Sequence, residues 1–372
     1  MIGSLNMRFL LRTFGILLTV GLFISQTACS NQDSESAKLV QTFKLSYYPT
    51  HVAWHPDGQR LATIGFSGGL SVWDIPTGKQ VATQAMKASE FSVAYSPDGR
   101  FLAVSKATSL RGERVDYLVV MDAKNYEVLY EYPPKGEPMG PAFAMAFSPD
   151  GRYLIAGAAS RMVVSARILD VESKSIIGSL ISSNKLDSIQ GIVYPSDGAT
   201  VITGHISGKL NIWSVKDMHL IKTIQAHKGY ILSMAISPDG KWLATGSNSS
   251  DVDQRYDPAT RITTEIKYDD PIKIFDTTTW EQVKALPVRN KHTTSLAFLP
   301  DSAHLVSAAQ ENILFWDVQS EKQIGSINGF KGGSALDFAL SQDGKNLAVV
   351  GTGSSEVQVW KISNQLTNKQ EK

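Results

Sequence analysis

Apolar and polar residues alternate along this chain in short bursts, and each burst ends at a turn. Leu220–Ile224, Tyr230–Ser237, Trp242–Gly246 and Ile272–Phe275 are four such runs in succession. Each is too short for a helix and has the twofold period of a half-buried strand. Seven times along the chain a turn of the Ser-Pro-Asp-Gly kind follows an alternating run, centred on Asp57, Asp98, Asp150, Asp197, Asp239, Asp301 and Asp343. Pro presets the first corner of such a turn, Asp bonds its own backbone two residues on, and Gly takes the positive φ. After each turn comes an apolar run ending in a large side chain: Trp73, Met121, Leu169, Trp213, Phe275, Trp316 or Trp360. A self-similar period of about forty residues predicts one four-stranded sheet per repeat in a radial array. The predicted fold is all-β, a seven-bladed propeller of four-stranded antiparallel blades.

The two ends of the repeat region fit each other. Leu39–Phe43 aligns with the outer-strand segment Leu220–Ile224, whereas the last repeat stops after the third-strand run Val357–Trp360. The N-terminal strand is therefore expected to complete the last blade and close the ring, leaving no long unpaired edge.

Trp73-Asp74 and Trp316-Asp317 are full Trp-Asp pairs, and Phe275-Asp276, Met121-Asp122 and Leu169-Asp170 keep the Asp. At these residues the chain resembles the Trp-Asp-repeat (WD-repeat) propellers, over residues 38–362. The resemblance implies a rigid, non-catalytic platform for protein partners and says little about which partner. It also implies a blade-stiffening network joining a His before the first strand, a Ser or Thr on the second and a Trp on the third. His292 with Ser307 and Trp316 matches that pattern; His227 has Thr245 but Phe275 in place of Trp. Neither His is preceded by Gly.

Composition narrows the reading. With 42% hydrophobic and 19% charged residues and a formal net charge of +1, the chain is neither disordered nor built for nucleic acid. The first 28 residues differ in kind: Arg8 and Arg12 precede an uncharged run from Phe14 to Ser25 that is short for a membrane span. The run ends Gln26-Thr27-Ala28-Cys29-Ser30, which resembles a bacterial lipoprotein signal, with Gln26 where an apolar residue is usual. The resemblance implies lipidation of Cys29, the only cysteine, and an exported protein anchored in a cell-envelope membrane. In a Gram-negative cell, Ser30 directs it to the outer membrane, facing the periplasm. An ordinary signal peptide or an uncleaved anchor, with an incidental Cys, is the other reading of the same run. Residues 29–37 form a polar tether that reaches roughly 30 Å when extended, and residues 363–372 form a polar tail.

Topology selects one candidate surface. In a four-stranded meander with strands a to d, the a–b and c–d turns share one face of the disc and the b–c and d–a loops share the other. The length variation falls in b–c and d–a segments: Lys106–Asp116, Pro133–Pro141, Ala158–Ser165 and Asn248–Asp270. These carry Arg111, Arg114, Arg161, Arg255, Tyr256 and Arg261, and Tyr230 lies beside a d–a loop. Arg and Tyr combine apolar area with directional hydrogen bonds, so this face is the expected partner-binding surface. The expected partners are envelope proteins.

Catalytic patterns fail on context. Gly65-Phe66-Ser67-Gly68-Gly69 has the spacing of a nucleophile elbow but lies between two strands, where a strand-to-helix turn is required. Asp251, Asp253 and Asp257 lack the Gly and Glu of a calcium loop. His51 and His55 stand at a helical ligand spacing on a strand. No metal or cofactor is implied. The competing class is a periplasmic propeller enzyme, quinoprotein-like or lactonase-like, and Asp74–Lys79 resembles one quinoprotein turn without its docking Trp.

Overall fold

The computed structural model describes residues 36–367 apart from 67, 86–88, 111–112, 133–141, 159–165, 182–186, 249–252, 258–261, 267–269, 289–291 and 329–334. The signal run, Cys29 and most of the tether lie outside the described residues.

The chain begins with β1 (Ala37–Lys44). Blade one is β2 (Tyr48–Trp54), β3 (Arg60–Phe66), β4 (Gly69–Asp74) and β5 (Lys79–Gln84). Blade two is β6 (Ser89–Tyr95), β7 (Phe101–Leu110), β8 (Glu113–Asp122) and β9 (Val128–Tyr132). Blade three is β10 (Ala142–Phe147), β11 (Tyr153–Ala158), β12 (Ala166–Asp170) and β13 (Ser175–Leu180). Blade four is β14 (Ile189–Val193), β15 (Thr200–His205), β16 (Lys209–Ser214) and β17 (Leu220–Gln225). Blade five has β18 (Ile231–Ile236), β19 (Trp242–Ser247), an inserted ribbon of β20 (Asp253–Asp257) and β21 (Ile262–Ile266), then β22 (Ile272–Asp276) and β23 (Gln282–Leu286). Blade six is β24 (Thr293–Phe298), β25 (His304–Ala309), β26 (Asn312–Asp317) and β27 (Lys322–Asn328). Blade seven takes β28 (Ala335–Leu340), β29 (Asn346–Gly351) and β30 (Glu356–Ile362) from the C-terminal end and β1 as its outermost strand. One helical turn, α1 (Asn364–Thr367), follows.

The predicted seven-bladed, all-β propeller is therefore the observed fold. β1 pairs antiparallel with β30, from Ala37 opposite Ile362 to Lys44 opposite Glu356. Seven buried apolar clusters fill the seven spaces between neighbouring blades, and the one joining blade seven to blade one contains Phe43, Trp54, Leu61, Trp73, Val350 and Val359. Second and third strands are covered on both faces, so β15, β16, β25 and β26 are almost continuously buried, while the outer strand β17 is largely exposed.

The turn face repeats with little variation. In all seven a–b turns the Asp carboxylate accepts the N–H two residues on, as at Gln59, Arg100, Arg152, Ala199, Lys241, Ala303 and Lys345, within 2.8–3.1 Å. Where the turn begins with Ser, the hydroxyl donates to the same Asp, at 2.6 Å from Ser96, Ser237 and Ser341. Each c–d pair also carries a bulge opposite the large third-strand residue, and the extra residue on the outer strand is Val40, Val81, Leu129, Ile177, Ile221, Val283 or Ile324. An apolar side chain at this one place explains most of the exposed aliphatics around the rim.

Candidate functional site

The opposite face carries the variation in secondary structure as well as in length. The first and fourth of the long segments form β-ribbons. β7 and β8 pair from Phe101 opposite Asp122 out to Leu110 opposite Glu113, which lifts the blade-two hairpin about 13 Å beyond its Lys106–Tyr117 pair. In blade five, β20 and β21 pair from Asp253 opposite Ile266 to Asp257 opposite Ile262. Three blade steps separate these ribbons, so they stand on nearly opposite sides of the channel mouth. Arg114 sits opposite Ser109, Arg255 opposite Thr264 and Tyr256 opposite Thr263. Arg111, Arg161 and Arg261 lie outside the described residues.

Aligning the innermost strands on a bulge common to all seven blades shows what shares the channel mouth. The bulge places His51, Ser92, Ala144, Gly191, Ser233, Ser295 and Asp337 at one level. Three residues earlier stand Tyr48 in blade one, Tyr230 in blade five and His292 in blade six. Tyr48 is 58% exposed, Tyr230 is 51% exposed and His292 is also exposed. Asn248 holds the backbone at Tyr230 by accepting its N–H at 2.6 Å. Under Tyr48, the buried Tyr47 donates its hydroxyl to Thr63 O at 3.1 Å. A Cβ added at Gly68 would stand 1.9 Å from the Tyr47 ring, so this turn needs its glycine for close approach. Tyr48 was invisible to loop-length reasoning because it is the first residue of a strand. Its signal is register: it aligns with Tyr230.

Below the aromatic residues, one arc of the ring is polar. Asp337 of blade seven accepts the Val52 N–H of blade one at 3.3 Å, and Trp54 Nε1–H donates to Ala339 O at 3.0 Å, so these bonds stitch the closing seam. Ser295 and Ser233 likewise donate to backbone carbonyls of the following blade, Phe338 at 3.4 Å and Thr293 at 3.3 Å. His51 and Asp337 are half-buried. Burial holds the His51 imidazole below its ordinary range, against the attraction of Asp337. Burial pushes the Asp337 carboxyl up, against His51 and the hydrogen bonds it receives.

The stiffening networks differ from the expected set. His227 is buried and bonds Thr245 Oγ1 through Nε2 at 2.8 Å, as its sequence position implied. In blade six, Trp316 Nε1–H donates to Ser307 Oγ at 2.9 Å, but His292 does not join them. Thr293 occupies the fully buried first position of its strand, so alternation turns His292 to solvent; His227 stands four residues before the equivalent Ile231, His292 only one before Thr293. An extended network among the described residues is in blade four and centres on His205. Trp213 Nε1–H donates to Thr203 Oγ1 (3.0 Å), the Thr203 hydroxyl to His205 Nε2 (2.8 Å), and His205 Nδ1–H to Asp187 O (3.3 Å). Ser207 donates to both Asp187 carboxylate oxygens. Burial keeps His205 below its ordinary range, which suits the neutral ring this relay requires. The histidine comes from the end of the second strand, a place that a search before first strands passes over.

His55 caps its own turn, accepting the Asp57 N–H on Nδ1 at 3.1 Å, with Nε2 3.0 Å from Gly99 O of the next blade. Among the described residues no group of three His, Cys, Asp or Glu side chains could hold a metal.

The WD40 family model, described as WD domain, G-beta repeat, matches residues 37–74 and 218–252. Both stretches start at an outer strand and run into the following blade. An uncharacterized WD repeat-containing protein of Synechocystis is 28% identical over 156 residues, 41% of this chain and 39% of that protein. The p21-activated protein kinase-interacting protein 1-like of Gallus gallus is 21% identical over 246 residues, 60% of this chain and 64% of that protein. Small ribosomal subunit protein RACK1y of Oryza sativa is 23% identical over 170 residues, 44% of this chain and 44% of that protein. The chain spans less than two thirds of the length of each of these relatives. Together the matches support the WD-repeat family.

Proposed function

We propose that the chain is a non-catalytic WD-repeat docking platform, held at a cell-envelope membrane by a lipidated Cys29, whose protein partner seats on the b–c/d–a face. The observation that carries this reading is the gathering, on one face, of two β-ribbons and the exposed Tyr48, Tyr230 and His292 around the channel mouth. Rigid aromatic anchors at the centre of a patch, with Arg around it, are the composition of protein-binding hot spots. The kinase-interacting protein from Gallus gallus, named for a protein partner, supports the same class of role.

Crosslinking in membranes followed by mass spectrometry tests it. A partner is captured by the parent chain and lost several-fold in the double variant Arg255→Glu, Arg261→Glu; unchanged capture removes the blade-five ribbon from the site. Cys29→Ser moves the protein to the soluble exported fraction, and continued membrane fractionation of that variant favours the uncleaved anchor.

A further inference from the structure

The described chain starts and finishes at one place on the rim. Antiparallel pairing puts the first residue of β1 beside the last of β30, at the turn-face end of blade seven. From there both termini cross onto the outer strand of blade six. Ser36 Oγ accepts the Ser326 N–H at 3.0 Å, and Ser36 O accepts the Ser363 N–H at 2.9 Å. Leu366 of α1 is buried with Ala37, Ile327 and Ile362. Gly325 permits this crossing, since a Cβ there would stand 2.4 Å from Ser36 Oγ. The chain therefore leaves the disc at the seam between blades six and seven. Cys29 is seven residues before Ser36, a reach of about 25 Å at full extension.

Three lysines surround this exit. Lys38 follows the first residue of β1, Lys361 precedes the last of β30, and Lys322 opens β27, so all three lie at the turn-face ends of adjacent outer and third strands. All three are exposed, and among the described residues none has an ion-pair partner. Among the described residues the nearby acids are engaged elsewhere: Glu321 with Lys284 at 3.3 Å, Asp317 with His304 at 3.7 Å and Asp343 with Lys345 at 3.8 Å. Between Lys38 and Lys361 opens a cavity of about 230 Å³, lined by Ala37, Ile362, Ser363 and Asn364. Exposed ammonium groups within a short tether's reach of a bilayer meet its headgroups, and anionic lipid draws them in over about a Debye length.

We propose that the blade-six/blade-seven edge is the membrane-facing edge of the propeller, with Lys38, Lys322 and Lys361 contacting anionic phospholipid headgroups. This rests on the anchored reading of the N-terminus and sets the disc's orientation: blade three, flanked by two and four, points away from the bilayer, and the aromatic channel mouth stays open to a partner.

The test uses the mature chain with Cys29→Ser, held by an N-terminal polyhistidine tag on nickel-chelating lipid, so that its outcome does not depend on lipidation. A single cysteine, Gln323→Cys at the seam or Asp217→Cys on blade four, carries a fluorophore read against a headgroup-bound quencher. Vesicles are either neutral or doped with phosphatidylglycerol. The expected result is several-fold stronger quenching at 323 than at 217, rising further with phosphatidylglycerol and losing that rise in the Lys38→Glu, Lys322→Glu, Lys361→Glu variant. Equal quenching at the two positions overturns the orientation. A seam preference indifferent to phosphatidylglycerol and to the charge reversal overturns the lysine contact. Membrane release of native Cys29→Ser is a separate readout, and its failure counts against the lipid anchor alone.

Discussion

The two faces of this propeller are built from the same repeats and behave differently. On the turn face, seven Asp residues make the same backbone bond within 0.3 Å of one another. On the loop face, blade two extends its second and third strands, blade five inserts a separate ribbon, and only three of the described blades present an exposed ring at the first-strand start. A tight turn is determined by its own four residues, so every copy can satisfy it alike. A loop on a rigid frame has no such internal requirement and is free to diverge toward a partner. Regularity marks what holds the ring together, and irregularity marks where the proposed partner seats.

The strongest way to break this comparison is to open the ring. Deleting residues 38–45 removes β1, leaves β30 as an unpaired edge and strips Phe43 from the closing cluster with Trp73, whose ring lies 4.6 Å away. The expected outcome is loss of the cooperative melt and aggregation; calorimetry showing a soluble monomer with the parental melting temperature contradicts it. Next in size is His205→Ala, which leaves Thr203 and Asp187 without their buried partner and is expected to cost about 2–4 kcal/mol in urea unfolding. His292→Ala, at an exposed site with no such network, is expected to stay within about 0.5 kcal/mol. Equal losses for the two histidines contradict the assignment of their roles.

Tyr48→Ala combined with Tyr230→Ala sharpens the comparison from the other side. Partner capture is expected to fall by tenfold or more, since truncating a central aromatic anchor costs about 2 kcal/mol or more, while the melting temperature hardly moves. The smallest effect is a pH slope on the turn face. His304 Nδ1 lies 2.6 Å from Asp301 Oδ2, and this hydrogen bond raises the imidazole pKa above its ordinary value, assisted by the charges of Asp301 and Asp317 and opposed by burial. The native state therefore holds the proton more tightly than the unfolded chain. Its stabilisation is complete below the unfolded value near 6.5 and is lost as pH rises through the higher folded value. His304→Gln is expected to flatten that part of the stability–pH curve.

What was legible in the sequence divides along the same line. The turns, the blade count and the pairing of the two ends were readable because each is set by local residues and a period. Tyr48 and His205 were not, because their significance depends on equivalent positions across blades, and a bulge in every first strand shifts that count. His292 shows the converse: it satisfied the residue types of the network and missed its place by three positions, since Ile231 and not Tyr230 is the equivalent of Thr293. The ribbons read as loops because Lys106–Asp116 and Asn248–Asp270 are polar and charged, with no sustained apolar alternation to mark a strand.

Site-specific photocrosslinking in membranes tests the division of labour most directly, with the reactive group placed at Tyr230 on the channel mouth or at Asp217 on the turn face. The account predicts one discrete protein adduct from position 230, lost in the Tyr48→Ala variant, and none from position 217. The same adduct formed from 217 and absent from 230 contradicts it.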